Sequence, residues 1–262
     1  MEPTPTLEIS PEKMDFRAYS ISWNLTKRCN LNCDHCYLDA EFRGGLKTDE
    51  LNTEECFRVI DQIAEVNPNA FLILTGGEPL LRPDIYDIIR YAADKKFMVV
   101  LGTNGTMINR VNAEKIKAAG AHGVGISIDS MNPDKHNKFR GVDKAWEHSM
   151  EAFDILNEVG VDFLVQMSVS DMNYKEIPDV VEFTEKIGAI AFNLYFLVCT
   201  GRGQGNTDIS NAAYEEALKM LYDQQMKYKG KLMINSKCAP QYKRVVYEND
   251  PESVYTRTYS GG

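Results

Sequence analysis

The sequence predicts an α/β fold built around a parallel sheet. Strand and helix signals alternate along almost the whole chain and give six strand–helix units in series. Two of the strands, 70–74 and 97–101, are short continuous apolar runs, which are typical of strands buried on both faces of a parallel sheet. Each crossover is long enough for a parallel connection. An open doubly wound sheet and a barrel or partial barrel both fit this pattern.

The individual elements follow from local signals. The first strand alternates apolar and polar residues, and the later strands are short and apolar. Acidic residues in the first turn indicate the helix at 52–66, and an apolar face indicates the helix at 82–95. Gly120 and Gly160 are typical C-caps for two further helices. Strands are expected at 19–25, 70–74, 97–101, 123–128, 161–169 and 191–198, and helices at 52–66, 82–95, 110–119, 144–159, 176–187 and 211–228. A short extra strand is expected at 231–235.

Composition excludes several classes of protein. The chain has 262 residues and a net charge of −9, which argues against a nonspecific nucleic-acid binder. No run of 18 apolar residues occurs, so we expect no membrane span. The first ten residues are polar and unlike a signal peptide, which favours a cytoplasmic location. Three of the six cysteines lie within eight residues, a clustering unlike a secreted disulfide framework.

The cysteine cluster is the strongest chemical signal. Cys29, Cys33 and Cys36 have the spacing C-x3-C-x2-C and follow the first strand, at the sheet edge where parallel α/β folds place their chemistry. Three thiolates on one loop can bind a polynuclear or a tetrahedral metal centre. Zinc fits less well because no fourth ligand is evident, whereas a [4Fe–4S] cluster with three cysteines keeps one iron open. The third possibility is that the three cysteines are reduced and bind no metal.

Glycine and polar residues follow the later strands too. Gly76 and Gly77 would let the backbone approach a ligand closely, although an ordinary turn also explains them. Ser127 and Asp129 lie on the same side of a strand, within reach of a ribose hydroxyl or a carboxylate; capping of the next helix is the alternative. Gln166 on the fifth strand needs hydrogen-bond partners if buried, which a cofactor or substrate could supply.

The loop from Thr26 to Tyr37 resembles the signature of the radical S-adenosylmethionine (SAM) superfamily. That resemblance implies a partial (β/α)6 TIM-like barrel with a [4Fe–4S] cluster held by the three cysteines. It also implies that SAM chelates the open iron, and that an electron from the cluster cleaves SAM to a 5′-deoxyadenosyl radical, which abstracts hydrogen from the substrate. The resemblance extends over about residues 19–200.

The same resemblance assigns roles to individual residues. Gly76, Gly77, Glu78 and Pro79 match a GGEP motif that binds the SAM amino group, and Asn104 borders the SAM pocket. Residues 136–141 resemble an H-D-x-x-R-G stretch in which Asn137 replaces Asp, and Arg140 would contact the SAM carboxylate. His35 stands where an aromatic residue is usual and would pack near the adenine. Arg202, in a T-G-R-G stretch, is a candidate for a substrate carboxylate.

We divide the chain into an N-terminal arm (1–18), a radical SAM barrel (19–229) and a C-terminal extension (230–262). Cys238 resembles the first ligand of an auxiliary iron–sulfur cluster in a SPASM or twitch extension. No cysteine follows it, so we expect this extension to be short and incomplete. Cys56 and Cys199 are interpreted as structural.

The text around the cysteines and the T-G-R-G stretch are most similar to the haem-biosynthesis branch, whose members remove or oxidatively decarboxylate tetrapyrrole propionates. We therefore expect a tetrapyrrole or peptide substrate and a reductant such as ferredoxin or flavodoxin. The alternatives are a sulfatase-maturing or other peptide-modifying enzyme, a maturase for a tungsten or molybdenum cofactor, and a noncatalytic iron–sulfur carrier or sensor.

Overall fold

The structure, a computed structural model, describes residues 20–42, 44, 49–197, 200–204 and 209–253. The predicted N-terminal arm and Cys199 lie outside these residues. Nine strands are described: β1 (Ser20–Asn24), β2 (Arg28–Cys29), β3 (Glu41–Phe42), β4 (Phe71–Thr75), β5 (Met98–Thr103), β6 (Gly123–Ser127), β7 (Phe163–Val169), β8 (Ala191–Phe196) and β9 (Met233–Lys237). The described helices are α1 (Thr53–Val66), α2 (Ile85–Asp94), α3 (Arg110–Ala118), α4 (Pro133–Arg140), α5 (Ala145–Val159), α6 (Ile177–Lys186), α7 (Asn211–Lys227) and α8 (Tyr242–Asn249).

A seven-stranded sheet in the order β1-β4-β5-β6-β7-β8-β9 forms the centre of the fold, and every pairing in it is parallel. The sheet is open between β1 and β9, which confirms the predicted partial barrel. Because all seven strands are parallel, their carboxyl ends share one edge, where the cysteine loop begins after β1. The short strands β2 and β3 pair with each other within that loop region.

The strand expected at 231–235 is the main difference. It lies at Met233–Lys237 and pairs in parallel with β8, so it is the seventh strand of the sheet. The boundary drawn at 229–230 therefore does not separate it from the barrel. Its buried side chains, Ile234 and Ser236, belong to the face that the helices cover. The two helices that flank this strand in the sequence contact each other, since Tyr242 in α8 donates to Gln225 in α7 at 2.8 Å.

Two helices were not predicted. In α4 only His136, Phe139 and Arg140 are buried, too few to produce an apolar periodicity. The capping signal was nevertheless present, because the Asn132 side chain accepts from Lys135 N and Pro133 occupies the first helical position. Helix α8 lies in the tyrosine-rich tail that reads as weakly periodic.

The apolar core lies between the sheet and its helices. On β7, for example, Val165 and Met167 are fully buried while Gln166 and Ser168, which alternate with them, are only half-buried. On the opposite, concave face, the part of β7, β8 and β9 nearer the carboxyl edge carries polar side chains. Among the described residues, no helix combines the length and apolarity needed to cross a membrane.

Candidate functional site

The three cysteines of the loop share one feature, which is that each sulfur accepts a hydrogen bond from nitrogen. Leu31 N donates to Cys29 Sγ at 3.4 Å, and Ala40 N donates to Cys36 Sγ at 3.3 Å. The Arg140 guanidinium donates to Cys33 Sγ at 3.8 Å. Such donors stabilise thiolates, and hydrogen bonds to sulfur are typical of iron–sulfur ligands.

Burial works against free thiolates at two of these positions. It raises the pKa of the Cys29 thiol to about 12. It also raises the pKa of Cys33, although the nearby Arg140 charge opposes the shift. A positively charged metal centre would offset this cost by binding the deprotonated sulfurs.

The spacing of the sulfurs bears on which centre fits. The three thiols interact electrostatically with one another, so they lie in one neighbourhood. In the part of the chain described, no three His, Cys, Asp or Glu side chains are grouped closely enough to hold a single ion. In a [4Fe–4S] cluster each cysteine binds a different iron, so its sulfurs stand further apart than the ligands of one ion. Three cysteine ligands leave one iron of such a cluster open, so the donor set fits a [4Fe–4S] cluster.

Gly76 and Gly77 lie directly against the cysteine loop. A Cβ on Gly76 would stand 2.5 Å from Thr26 O, and one on Gly77 would stand 2.3 Å from Arg28 O. The two segments are joined by hydrogen bonds from Gly77 N to Thr26 O at 2.7 Å and from Glu78 N to Arg28 O at 2.8 Å. These glycines therefore permit a close approach of backbone to backbone, where the sequence suggested approach to a ligand.

Glu78 is completely buried and points into the protein. Its carboxylate accepts from Thr103 Oγ1 at 2.8 Å, from Asn104 N at 2.9 Å and from Leu80 N at 3.0 Å. Burial raises its pKa against these hydrogen bonds. Pro79 opens a short 3-10 turn beside it. The described contacts give Glu78 a structural role, since it ties the turn after β4 to the turn after β5.

Asn104 continues this connection to the cysteines. Its Nδ2 donates to Asn30 Oδ1 at 2.8 Å and lies 4.0 Å from Cys29 Sγ. Its Oδ1 accepts from Thr106 N at 2.9 Å. Asn30 was not predicted as a site residue, although its place between two ligand positions was an available signal.

Arg140 and Asp129 form a buried ion pair with Nη2 and Oδ2 separated by 2.6 Å. The other Asp129 oxygen accepts from Ser168 N at 2.9 Å, so Asp129 also ties β7 to the turn after β6. Burial lowers the pKa of Arg140, but the Asp129 carboxylate and the Cys33 sulfur outweigh this and raise it, so the guanidinium remains charged. Arg140 Nε is buried and has no hydrogen-bond partner among the described residues.

Phe139, which the sequence did not single out, stacks on His35 with ring centroids 4.1 Å apart. Burial lowers the pKa of His35 well below its usual value, and its Nδ1 is buried without a hydrogen-bond partner among the described residues. His136 accepts from Asp129 N at 3.2 Å, and burial lowers its pKa to about 4. Both imidazoles are therefore neutral near pH 7. The Asn137 side chain accepts a hydrogen bond from Trp146 N and donates one to the Glu147 carboxylate.

Arg202 also binds the cysteine loop. Its Nε donates to Cys33 O at 3.2 Å and its Nη1 donates to Ala40 O at 2.6 Å. Gly201 packs so closely that a Cβ there would stand 2.5 Å from Cys36 O. These contacts hold the cysteine loop in place, and the predicted role of Arg202 toward a substrate carboxylate stays a prediction.

Ser127 and Gln166 lie on the concave face as register neighbours of β6 and β7. Gln166 Nε2 approaches Tyr195 Oη at 3.4 Å, and the Ser127 side chain makes no hydrogen bond among the described residues. Cys238 is exposed and follows β9 with a φ of 57°. Cys56 is buried in α1, as expected.

Comparisons with known proteins bear on the family of this chain. A family model described as the radical SAM superfamily matches residues 23–184. The chain is 38% identical over 226 residues to an AdoMet-dependent heme synthase from Methanosarcina barkeri, covering 86% of this chain and 63% of that protein. It is 33% identical over 232 residues to an Fe-coproporphyrin III synthase from the same organism, covering 86% of this chain and 55% of that protein. The chain thus spans about three fifths of the length of the first of these relatives.

Among solved structures, Streptococcus suis SuiB bound to S-adenosylmethionine has a TM-score of 0.73 at 16% identity, covering 93% of this chain and 56% of SuiB. At that identity the likeness concerns the fold alone.

Proposed function

This chain belongs to the radical SAM superfamily, and on that premise we propose that it reductively cleaves SAM and abstracts hydrogen from a propionate side chain of a tetrapyrrole. The observation that carries the proposal is the loop in which three cysteine sulfurs each accept a nitrogen donor. Relatives with haem-synthase names, at up to 38% identity, support the tetrapyrrole as substrate and haem or haem d1 biosynthesis as the setting.

Membership of the family implies a [4Fe–4S] cluster and SAM. Cys29, Cys33 and Cys36 would hold the cluster, and bound together the two groups supply reductive cleavage of SAM and a radical for hydrogen abstraction. An unactivated propionate C–H bond resists acid–base chemistry at neutral pH, so the hard step falls to the cofactors. The protein then has to supply binding, orientation and exclusion of water.

Two buried polar atoms support the proposed SAM pocket. Arg140 Nε has no hydrogen-bond partner among the described residues, and its guanidinium touches Cys33 Sγ, so it is available to a carboxylate beside the cluster. His35 Nδ1 is equally unpartnered, on a neutral ring stacked with Phe139. We propose that Arg140 receives the SAM carboxylate and that His35 packs near the adenine. The turn of Gly76, Gly77, Glu78 and Pro79, which is hydrogen-bonded to the cysteine loop, would bind the SAM amino group.

The proposal also includes the reductant, the compartment and an auxiliary cluster. A ferredoxin or flavodoxin would supply the electron, and the cytoplasm would be the compartment. Cys238, exposed after β9 at the same sheet edge as the cysteine loop, would be a ligand of an auxiliary iron–sulfur cluster.

The test is anaerobic reconstitution with iron and sulfide, followed by dithionite, SAM and Fe-coproporphyrin III. We expect 5′-deoxyadenosine by mass spectrometry, with its yield raised by the tetrapyrrole. We also expect a tetrapyrrole in which a propionate has become a vinyl group: the hydrogen atom goes to 5′-deoxyadenosine, the carboxyl group leaves as CO2, and the remaining electron passes to an added one-electron acceptor. Cys33→Ala should abolish both products and lower bound iron, whereas the buried Cys56→Ala, outside the loop, should retain the iron. A cluster without 5′-deoxyadenosine would favour a carrier or sensor, and 5′-deoxyadenosine without tetrapyrrole conversion would favour a peptide substrate.

A further inference from the structure

Lys237 is the sole charged residue in the seven strands of the central sheet. It is the last residue of β9, at the carboxyl edge. Side chains alternate along a strand, so Lys237 shares a face with Asn235. Asn235 Nδ2 donates to Asn193 Oδ1 at 2.9 Å across the concave face, while Ile234 is buried on the helix side. Lys237 is therefore on the concave face.

The neighbours of Lys237 form an ordered polar wall. One register row contains Ser127, Gln166, Asn193 and Asn235. The next row toward the carboxyl edge contains Ser168, Tyr195 and Lys237. Neighbouring strands lie about 4.8 Å apart, so the backbone positions of Tyr195 and Lys237 are adjacent and their side chains leave the sheet side by side.

The Lys237 ammonium has no hydrogen bond or ion pair with any described residue, although the side chain is half-buried. Lysines that are taken out of water are ordinarily paired, because a partly desolvated charge without a partner is costly. A missing anionic partner would account for this arrangement.

Tyr195 provides a second donor at the same place. Its oxygen faces Gln166 Nε2 at 3.4 Å, so its own proton is free to donate. Burial raises the pKa of Tyr195 to about 12, so the hydroxyl keeps that proton near pH 7. Tyr195 also interacts electrostatically with Tyr37, the residue after Cys36. An anion held here would thus lie beside the cysteine loop.

We propose that Lys237 binds a carboxylate of the substrate on the concave face, with the Tyr195 hydroxyl as second donor to the same group. This deepens the proposed function, on which it rests, by assigning one substrate carboxylate to the seventh strand. A propionate fits because its charge would pair with Lys237 while the ring system lies against the uncharged wall.

The test measures binding of metal-free coproporphyrin III to the cluster-reconstituted chain by absorbance titration, without reductant. The neutral propionamide derivative of the same ring is titrated in parallel. We expect Lys237→Met to weaken binding of the acid about tenfold or more while leaving the amide unchanged. Lys237→Arg should keep most of the affinity, and Lys219→Met, an exposed lysine of α7, should change neither titration.

Folding is checked separately by urea unfolding. Lys237→Met should not lower the free energy of unfolding, because the ammonium makes no contact with a described residue; a loss would point to a structural role and overturn the assignment. If Lys237→Met weakens binding of the acid and the amide equally, or weakens neither, the assignment of Lys237 is also overturned. The proposed function would still stand in that case if 5′-deoxyadenosine formation depends on the substrate. Failure of the unaltered chain to bind the porphyrin would overturn both.

Discussion

The cysteine loop and the concave face lie side by side at the carboxyl edge of the sheet, yet they are built in opposite ways. The loop is fixed by the chain itself, since donors and close backbone contacts reach it from the turns after β4, β5 and β8 and from α4. The concave wall of β7 to β9 has two internal side-chain hydrogen bonds among its described residues, and one of these is long, at 3.4 Å.

This difference separates two requirements of one reaction. Ligands of a cluster must be held in a fixed geometry, whereas a substrate surface keeps its donors and acceptors available until a ligand arrives. If the contrast holds, substitutions that disturb the loop should reduce stability, and those on the wall should reduce binding.

The largest effect on stability is expected from Gly141→Ala. Gly141 has a φ of 68°, and a Cβ there would stand 2.3 Å from Asn32 O in the cysteine loop. The left-handed conformation costs about 1–2 kcal/mol, and the steric overlap adds about 1–3 kcal/mol. Gly230→Ala is the matched control, because Gly230 has a φ of 79° and nothing within 4 Å. Urea unfolding measures both, and equal losses would mean that close contact with the loop is unimportant.

Lowering the pH should reduce the stability of the fold near the cysteine loop, because His136 becomes protonated. Its pKa is about 4 in the fold against about 6.5 unfolded, so neutral His136 contributes stability above pH 6.5 that is lost as the pH falls through 4. The loss amounts to about 3 kcal/mol. His136→Gln should remove this part of the pH dependence between pH 7 and 4.5 in urea unfolding. The exposed His148→Gln should keep it, and an unchanged slope in the first variant would contradict the assignment.

Arg202→Ala should cost about 1–3 kcal/mol, because it leaves Cys33 O and Ala40 O without their charged donor. The loss should be smaller after cluster reconstitution, since the cluster would hold the loop independently. Thermal unfolding of the two forms gives this difference. If Arg202 instead bound a substrate carboxylate, stability would be unchanged and tetrapyrrole affinity would fall.

The smallest effect on stability is expected at the wall. Gln166→Ala removes one long contact to Tyr195, so the free energy of unfolding should change by less than about 1 kcal/mol. Affinity for coproporphyrin III or SAM should respond more than stability does. A loss of stability as large as that of Arg202→Ala would remove the distinction between the two regions.

Much of the architecture was predictable from sequence, because apolar runs and capping residues act locally. The six strands and six helices expected from these signals are present. The seventh strand was assigned to an extension, since nothing in Met233–Lys237 states which strand it pairs with. Helix α4 was missed because its buried residues serve the ion pair and the His35 stack rather than an apolar face.

The site was predictable as a set of residues but less so in its contacts. Glycine at positions 76, 77, 141 and 201 signals that something comes close, and the sequence cannot say whether this is a ligand or another part of the chain. Here it is the cysteine loop in each case. Likewise, the sequence does not show that Glu78, Asp129 and Arg202 have partners within the fold; their roles toward a ligand stay predictions.

The reach of the contacts on the cysteine loop has a consequence for how the protein is made. Arg140 joins Cys33 across 107 positions, and Arg202 joins it across 169. Such distant pairings form slowly because a large loop must close before they contribute. During synthesis the three cysteines emerge early, whereas the last of their supporting residues, Arg202, emerges only after the sixth strand of the sheet. The loop should therefore mature late in folding, and iron insertion should be most efficient into a chain whose sheet has already formed.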